Sequence, residues 1–265
     1  MSPSEDGAPF NPEFRKGREL LLSGMGVGFG LTGALLPNEP RSVPTAGLNP
    51  ADISLSLDRS RVGNRSVDSD QASDWTRNAA VLLPFMIGLA VTPQSHRWKN
   101  FARRTAVYGE TFLLSQGLTL LLKSALGRPR PFVYLAEGVR PDDSGYDVAR
   151  ERAFRSMPSG HSSSAWTGAG LAMTEHWLSR PQAGNLERFG IGFAAGALAA
   201  ATSSLRSSAG QHFPTDVVAG AGIGLVSGVI VPVLHRGEGR APISRAWPHM
   251  AGGFAGVVVG IVLGG

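Results

Sequence analysis

Three polar clusters interrupt an otherwise apolar chain, and each carries residue types suited to a tetrahedral oxyanion. The stretch KSALGRPRP sets Lys123 seven residues before Arg130, PSGH spans Pro158 to His161, and RSSAGQHFPTD holds Arg206, His212 and Asp216. Lys123, Arg130 and Arg206 offer positive charge and N–H donors with no acceptors, which fits a phosphate. Ser159 and the Gly160 amide stand where a helix is expected to begin, and unpaired N–H groups and the helix dipole favour anions there. Without a side chain at position 160, the backbone can approach a ligand closely.

The histidines add reactivity to this anion site. His212 and Asp216 are four residues apart, so on a helical turn they share a face, and the carboxylate can fix the imidazole tautomer that leaves the other nitrogen free to attack. Pro214 suits the first turn of the helix that would start there. Attack by His212 on phosphorus would form a phosphohistidine and expel an alcohol or phosphate. His161 is expected to protonate that leaving group and then to deprotonate the water that cleaves the intermediate.

Residues so far apart in sequence must be brought together by the ends of helices. Apolar segments are expected over 20–36, 79–91, 107–122, 162–178, 189–203, 217–234 and 250–263. The segment over 217–234 carries no charge and is about long enough to cross a bilayer, whereas others fall short of the roughly 20 residues a clean span needs. If the segments alternate in direction, Arg15, Lys16, Arg18, Arg97, Lys99, Arg103, Arg104, Arg236, Arg240 and Arg245 all fall on one side, which the positive-inside rule makes cytoplasmic. All three polar clusters then fall on the opposite face. Trp75, Trp98 and Trp247 lie near segment ends, as interfacial anchors would. The apolar run behind the N-terminal basic patch lacks a small-residue cleavage pattern, so an uncleaved anchor is expected.

Composition narrows the function classes. The absence of cysteine excludes disulfides, thiol catalysis and cysteine-ligated metal centres. Only 17% of residues are charged, and 35 of 265 are glycine, a balance that suits close helix packing in a bilayer. The formal charge is +5, yet no long basic run interleaved with aromatics appears, so no nucleic-acid partner is expected.

The expected fold is all-α, a polytopic transmembrane bundle of about six helices with a further candidate at the C-terminus. Its parts are an anchor helix and long extracytoplasmic loop over 1–78, a helical core over 79–235, and a tail over 236–265. The loop 37–78 is rich in turn formers and too long for an ordinary connection, so it is expected to be mobile or a lid. Arg128 fits no phosphate role and is read as loop charge. The serines after His161 are read as small residues that let helices approach.

The spacing Lys123-x6-Arg130-Pro131, then Pro158-Ser159-Gly160-His161, then Arg206-x5-His212-x3-Asp216, resembles the three-part signature of the type 2 phosphatidic acid phosphatase superfamily. One departure is Leu205, which stands where that pattern usually has serine. The resemblance implies an all-helical core with the active site between helices and no metal or other cofactor. It also implies His212 as nucleophile, Asp216 as its orienter, His161 as acid and base, and Lys123, Arg130, Ser159, Gly160 and Arg206 as phosphate holders.

The expected function is therefore a membrane phosphatase acting on a lipid phosphate monoester or diphosphate, with the bilayer as its other partner. Its expected place is a bacterial inner membrane, with the site facing the periplasm or exterior. The alternatives are a soluble periplasmic acid phosphatase and a vanadate-dependent haloperoxidase using the same pocket. The segment between the first two clusters is a candidate selector of substrate.

Overall fold

A computed structural model describes residues 10–36 and 43–236. Seven α-helices and no strand are found among them: α1 Lys16–Leu35, α2 Ser56–Arg59, α3 Val67–Val91, α4 Arg97–Leu126, α5 Gly160–Ser179, α6 Asn185–Ser208 and α7 Pro214–Leu234. The all-α expectation holds. Each of the first six apolar segments lies within one long helix or within one residue of its end, and the segment at 250–263 lies outside the described residues.

α5 forms the centre, packed by α3, α6 and α7, while α1 lies against α4. Most of α5 is buried, including Trp166, Ala169, Leu171 and Ala172. Close approach of backbones makes this possible. A Cβ on Gly224 of α7 would lie 2.2 Å from the Ser163 carbonyl oxygen of α5, and one on Gly117 of α4 would lie 2.2 Å from the Gly26 carbonyl oxygen of α1. Only glycine fits at such distances. The serines after His161 do more than make room. Ser162 Oγ bonds Ser203 Oγ at 2.9 Å and the Val217 carbonyl at 2.7 Å, and Ser163 Oγ meets Ser115 and Thr119 of α4 at 3.0 and 2.9 Å.

α3 starts earlier than the apolar pattern indicates. Ser66 caps it, its side chain accepting from the Ser69 amide at 3.1 Å, and Asp68 and Asp70 occupy the positively polarised first turn. The segment expected to be a loop to residue 78 is therefore helical from Val67. The described part of the remaining loop folds down as well. Ile53 and Val62 join Phe132, Val133, Leu135, Tyr146, Phe154 and Phe213 in a small apolar core, which ties the stretch 43–66 to the connection between α4 and α5.

On α1, α3, α6 and α7 large apolar side chains point outward: Leu20, Leu31 and Leu35, then Leu82 and Met86, then Phe189 and Phe193, then Val218 and Ile230. Only α7, among the described residues, is both long and apolar enough to cross a membrane by itself.

Candidate active site

The C-terminal ends of α4 and α6 and the N-terminal ends of α3, α5 and α7 surround the three polar clusters. α4 stops just beyond Lys123 because Gly127 takes a left-handed conformation, φ +53°, from which its amide bonds the Lys123 carbonyl at 3.2 Å. The turn after α6 is set by Gly210. Its φ of +69° and the Asn64 carbonyl oxygen, 1.9 Å from where a Cβ would be, both exclude other residues. This turn delivers His212 to the site before α7 begins, with Pro214 at the first helical position as expected.

Ser159 caps α5, and its amide donates to the Asp216 carbonyl at 2.8 Å, which locks the start of α5 against the start of α7. Gly160 lies beside Lys123, whose Cε would be 3.6 Å from a Cβ at that position. Lys123 Nζ donates to the Arg155 and Ser156 carbonyls, at 2.8 and 3.3 Å. Arg130 donates to the Arg152 carbonyl at 2.8 Å and to Gln211 Oε1 at 2.7 Å. Neither cation has a carboxylate hydrogen-bond partner among the described residues. Burial holds both below their ordinary pKa, and repulsion follows, from Arg130 on Lys123 and from Arg206 on Arg130.

His212 is buried, with 1% of its surface exposed, and Nδ1 makes no hydrogen bond. Burial first, then the charges of Arg130, Lys123 and Arg206, push its pKa well below the ordinary value, so the imidazole is neutral and carries a free lone pair. Asp216 Oδ2 lies 3.7 Å from Nδ1, too far for a hydrogen bond. Its carboxylate is instead held by Arg128 at 2.6 Å, Ser156 Oγ at 2.6 Å and the Phe213 amide at 2.8 Å.

Arg128 is thus more than loop charge. It ion-pairs with Asp58 Oδ2 at 2.7 Å as well as with Asp216, donates to Thr215 Oγ1 at 2.7 Å, and stacks over Phe213 at 4.5 Å. Asp58 in turn accepts from the Thr215 hydroxyl at 2.6 Å. The N-terminal third supplies further groups that the three sequence clusters do not contain. Asp74 Oδ1 and Arg77 meet His161 Nε2 at 2.7 and 2.8 Å, and Asp70 pairs with Arg206 beside Ser73. Burial and the nearby Arg206 push His161 down to about 3, with Asp74 acting in the opposite direction.

The eight residues expected from the sequence, Lys123, Arg130, Ser159, Gly160, His161, Arg206, His212 and Asp216, therefore gather at one end of the bundle. The arrangement is a neutral buried imidazole close to Arg130, Lys123 and Arg206, with His161 near enough to repel its charged form. A family model described as the PAP2 superfamily matches residues 104–240, just over half of the chain. No curated protein and no solved structure matches the chain significantly.

Proposed function

The chain belongs to the PAP2 superfamily, the type 2 phosphatidic acid phosphatases, and from that premise and the pocket we propose that it hydrolyses a lipid phosphate monoester or diphosphate in a membrane through a phosphohistidine. Family membership supports a phosphatase hydrolase activity in general. The observation that carries the finer reading is His212, neutral and buried close to Arg130, Lys123 and Arg206, of which Lys123 and Arg130 have no carboxylate hydrogen-bond partner among the described residues.

In this reading Lys123, Arg130 and Arg206 bind the phosphoryl oxygens, together with Ser159 and the Gly160 amide at the start of α5. His212 attacks through Nε2, since Nδ1 is the nitrogen on the Asp216 side. The P–N bond forms as the P–O bond to the leaving group breaks, and the departing oxygen takes a proton from His161. Substrate charge makes that proton available, because a phosphate beside His161 opposes the repulsion from Arg206. Water then attacks phosphorus, gives a proton to His161, and the P–N bond breaks. Asp216 offsets the positive charge that His212 carries in the intermediate.

Several features support a membrane setting. Large apolar side chains face outward on all the long helices but α5, and Trp75 and Trp98, 76% and 73% exposed, stand toward opposite ends of the bundle. Arg15, Lys16, Arg18, Arg97, Lys99 and Arg236 lie at the end away from the pocket. The positive-inside rule then makes the pocket extracytoplasmic, where a headgroup can enter while its chains stay in the bilayer.

The test is purified full-length chain in detergent with a panel of lipid phosphates and diphosphates and a soluble phosphate ester. Phosphate release with acid-labile, base-stable labelling of the wild type, both lost in His212→Ala, is expected. Ordinary turnover by His212→Ala would overturn the nucleophile, and release of the chain from membranes by alkaline wash would overturn the membrane setting.

A further inference from the structure

At the end of the bundle away from the pocket, three ligand atoms converge from three helices. His235 directly follows α7 and is fully buried. Its Nδ1 lies 2.8 Å from the Val231 carbonyl oxygen, and a carbonyl only accepts, so Nδ1 carries the proton. Nε2 then faces two carboxylate oxygens, Glu19 Oε2 of α1 at 2.8 Å and Glu110 Oε2 of α4 at 3.1 Å.

The far side of each ligand is already held. Glu19 Oε1 accepts from the Arg15 amide at 3.1 Å and from Arg18 at 2.7 and 3.0 Å, and Glu110 Oε1 accepts from Ser23 Oγ at 3.0 Å. Phe14 packs edge-on against the imidazole, with centroids 5.6 Å apart, which fixes its plane. Such outer contacts orient ligands in metal sites.

A proton on Nε2 alone does not satisfy this geometry. One N–H on Nε2 can serve one carboxylate oxygen, and Glu110 Oε2, on a residue only 8% exposed, receives no hydrogen bond. An unpaired buried carboxylate oxygen beside a second carboxylate is costly. A divalent cation bound to Nε2 and both Oε2 atoms would satisfy all three and neutralise both acids. The separations of 2.8 and 3.1 Å are a few tenths of an ångström below the about 3.3 Å between ligands of a tetrahedral zinc.

We propose that Glu19, Glu110 and His235 bind a zinc-like divalent metal that clamps α1 to α4 and α7. One nitrogen and two carboxylate oxygens suit a borderline transition metal better than calcium, which takes six or more oxygens. The site is structural: Asp216 and His235 are separated by nearly the whole of α7, about 28 Å at 1.5 Å per residue.

The test uses full-length chain in detergent, stripped with a chelator and titrated with Zn²⁺ by calorimetry and with Co²⁺ by visible absorption. Binding of one equivalent is expected, with ligand-field bands from Co²⁺ and a higher Tm on adding Zn²⁺. Glu110→Gln is expected to abolish stoichiometric binding, and Ser23→Ala to weaken it about tenfold. If either variant fails to fold, the wild-type titrations decide alone. Wild-type chain that binds no Zn²⁺ beyond background, shows no Co²⁺ bands and keeps its Tm would overturn the proposal, as would binding unchanged in Glu110→Gln.

Discussion

Arg128 and Asp216 form an ion pair 2.6 Å long beside His212, and the same guanidinium reaches Asp58, seventy residues earlier in the chain. The carboxylate next to His212 is therefore linked, through Arg128, to the N-terminal third. Replacing Arg128 with Met leaves two buried acids without their shared cation, a loss of about 3 kcal/mol. The expected result is a lower Tm and a reduced kcat with little change in KM. Asp216 is already held above the ordinary carboxylate pKa by burial, and Arg128 is the foremost influence lowering it. Without Arg128 its pKa rises further, so the acidic limb of the pH–rate profile should move to higher pH. A variant with unchanged kinetics and pH profile would show that the pair has no bearing on Asp216.

The Asp74–His161 contact makes a pH prediction of the opposite kind. A neighbouring carboxylate favours the imidazolium, so Asp74→Asn should lower the His161 pKa. If His161 is the acid that protonates the leaving group, the alkaline limb of the profile moves to lower pH by roughly one unit. Activity on an ester with a good leaving group, which needs little protonation, should fall less. Equal losses on good and poor leaving groups would argue against the acid role.

Arg206 meets Asp70 and Ser73 through one nitrogen, Nη1, while Nε of its planar fork makes no hydrogen bond among the described residues. Lysine keeps the charge but not the fork, so Arg206→Lys should lower kcat/KM by about tenfold or more, corresponding to about 1.4 kcal/mol or more. Steady-state kinetics on the preferred substrate check this.

Packing of α5 on α7 offers a stability test with an internal control. Gly224→Ala forces a methyl into the Ser163 carbonyl and should cost about 1–3 kcal/mol, read as a lower Tm in detergent. Gly222→Ala on the same helix meets nothing within 4 Å and should be neutral or slightly stabilising.

The residues of the site were largely legible because their chemistry is local: a cap serine, a glycine, and histidine and cation spacings that survive as linear patterns. Six helices were legible from apolar runs, but their polar ends were not. Residues 67–78 look like loop because they are polar, yet Ser66 followed by Asp68 and Asp70 is a helix-start signal that could have placed Asp70, Asp74 and Arg77 on α3. The partnership of Arg128 with Asp58 left no such trace. It depends on the fold of 43–66 over the α4–α5 connection, which no periodicity announces. The four-residue spacing of His212 and Asp216 suggested one helical face, whereas Phe213 is the cap and His212 lies ahead of the helix.

The acids of α3 bear on how tightly the proposed site would hold an anion. Asp70 and Asp74 lie before the family match at 104, yet they occupy Arg206 and His161, two of the groups a phosphate would engage. On the proposed reading, a phosphate entering the site would have to displace these built-in anions from the same donors, which ties its affinity to residues of the N-terminal third.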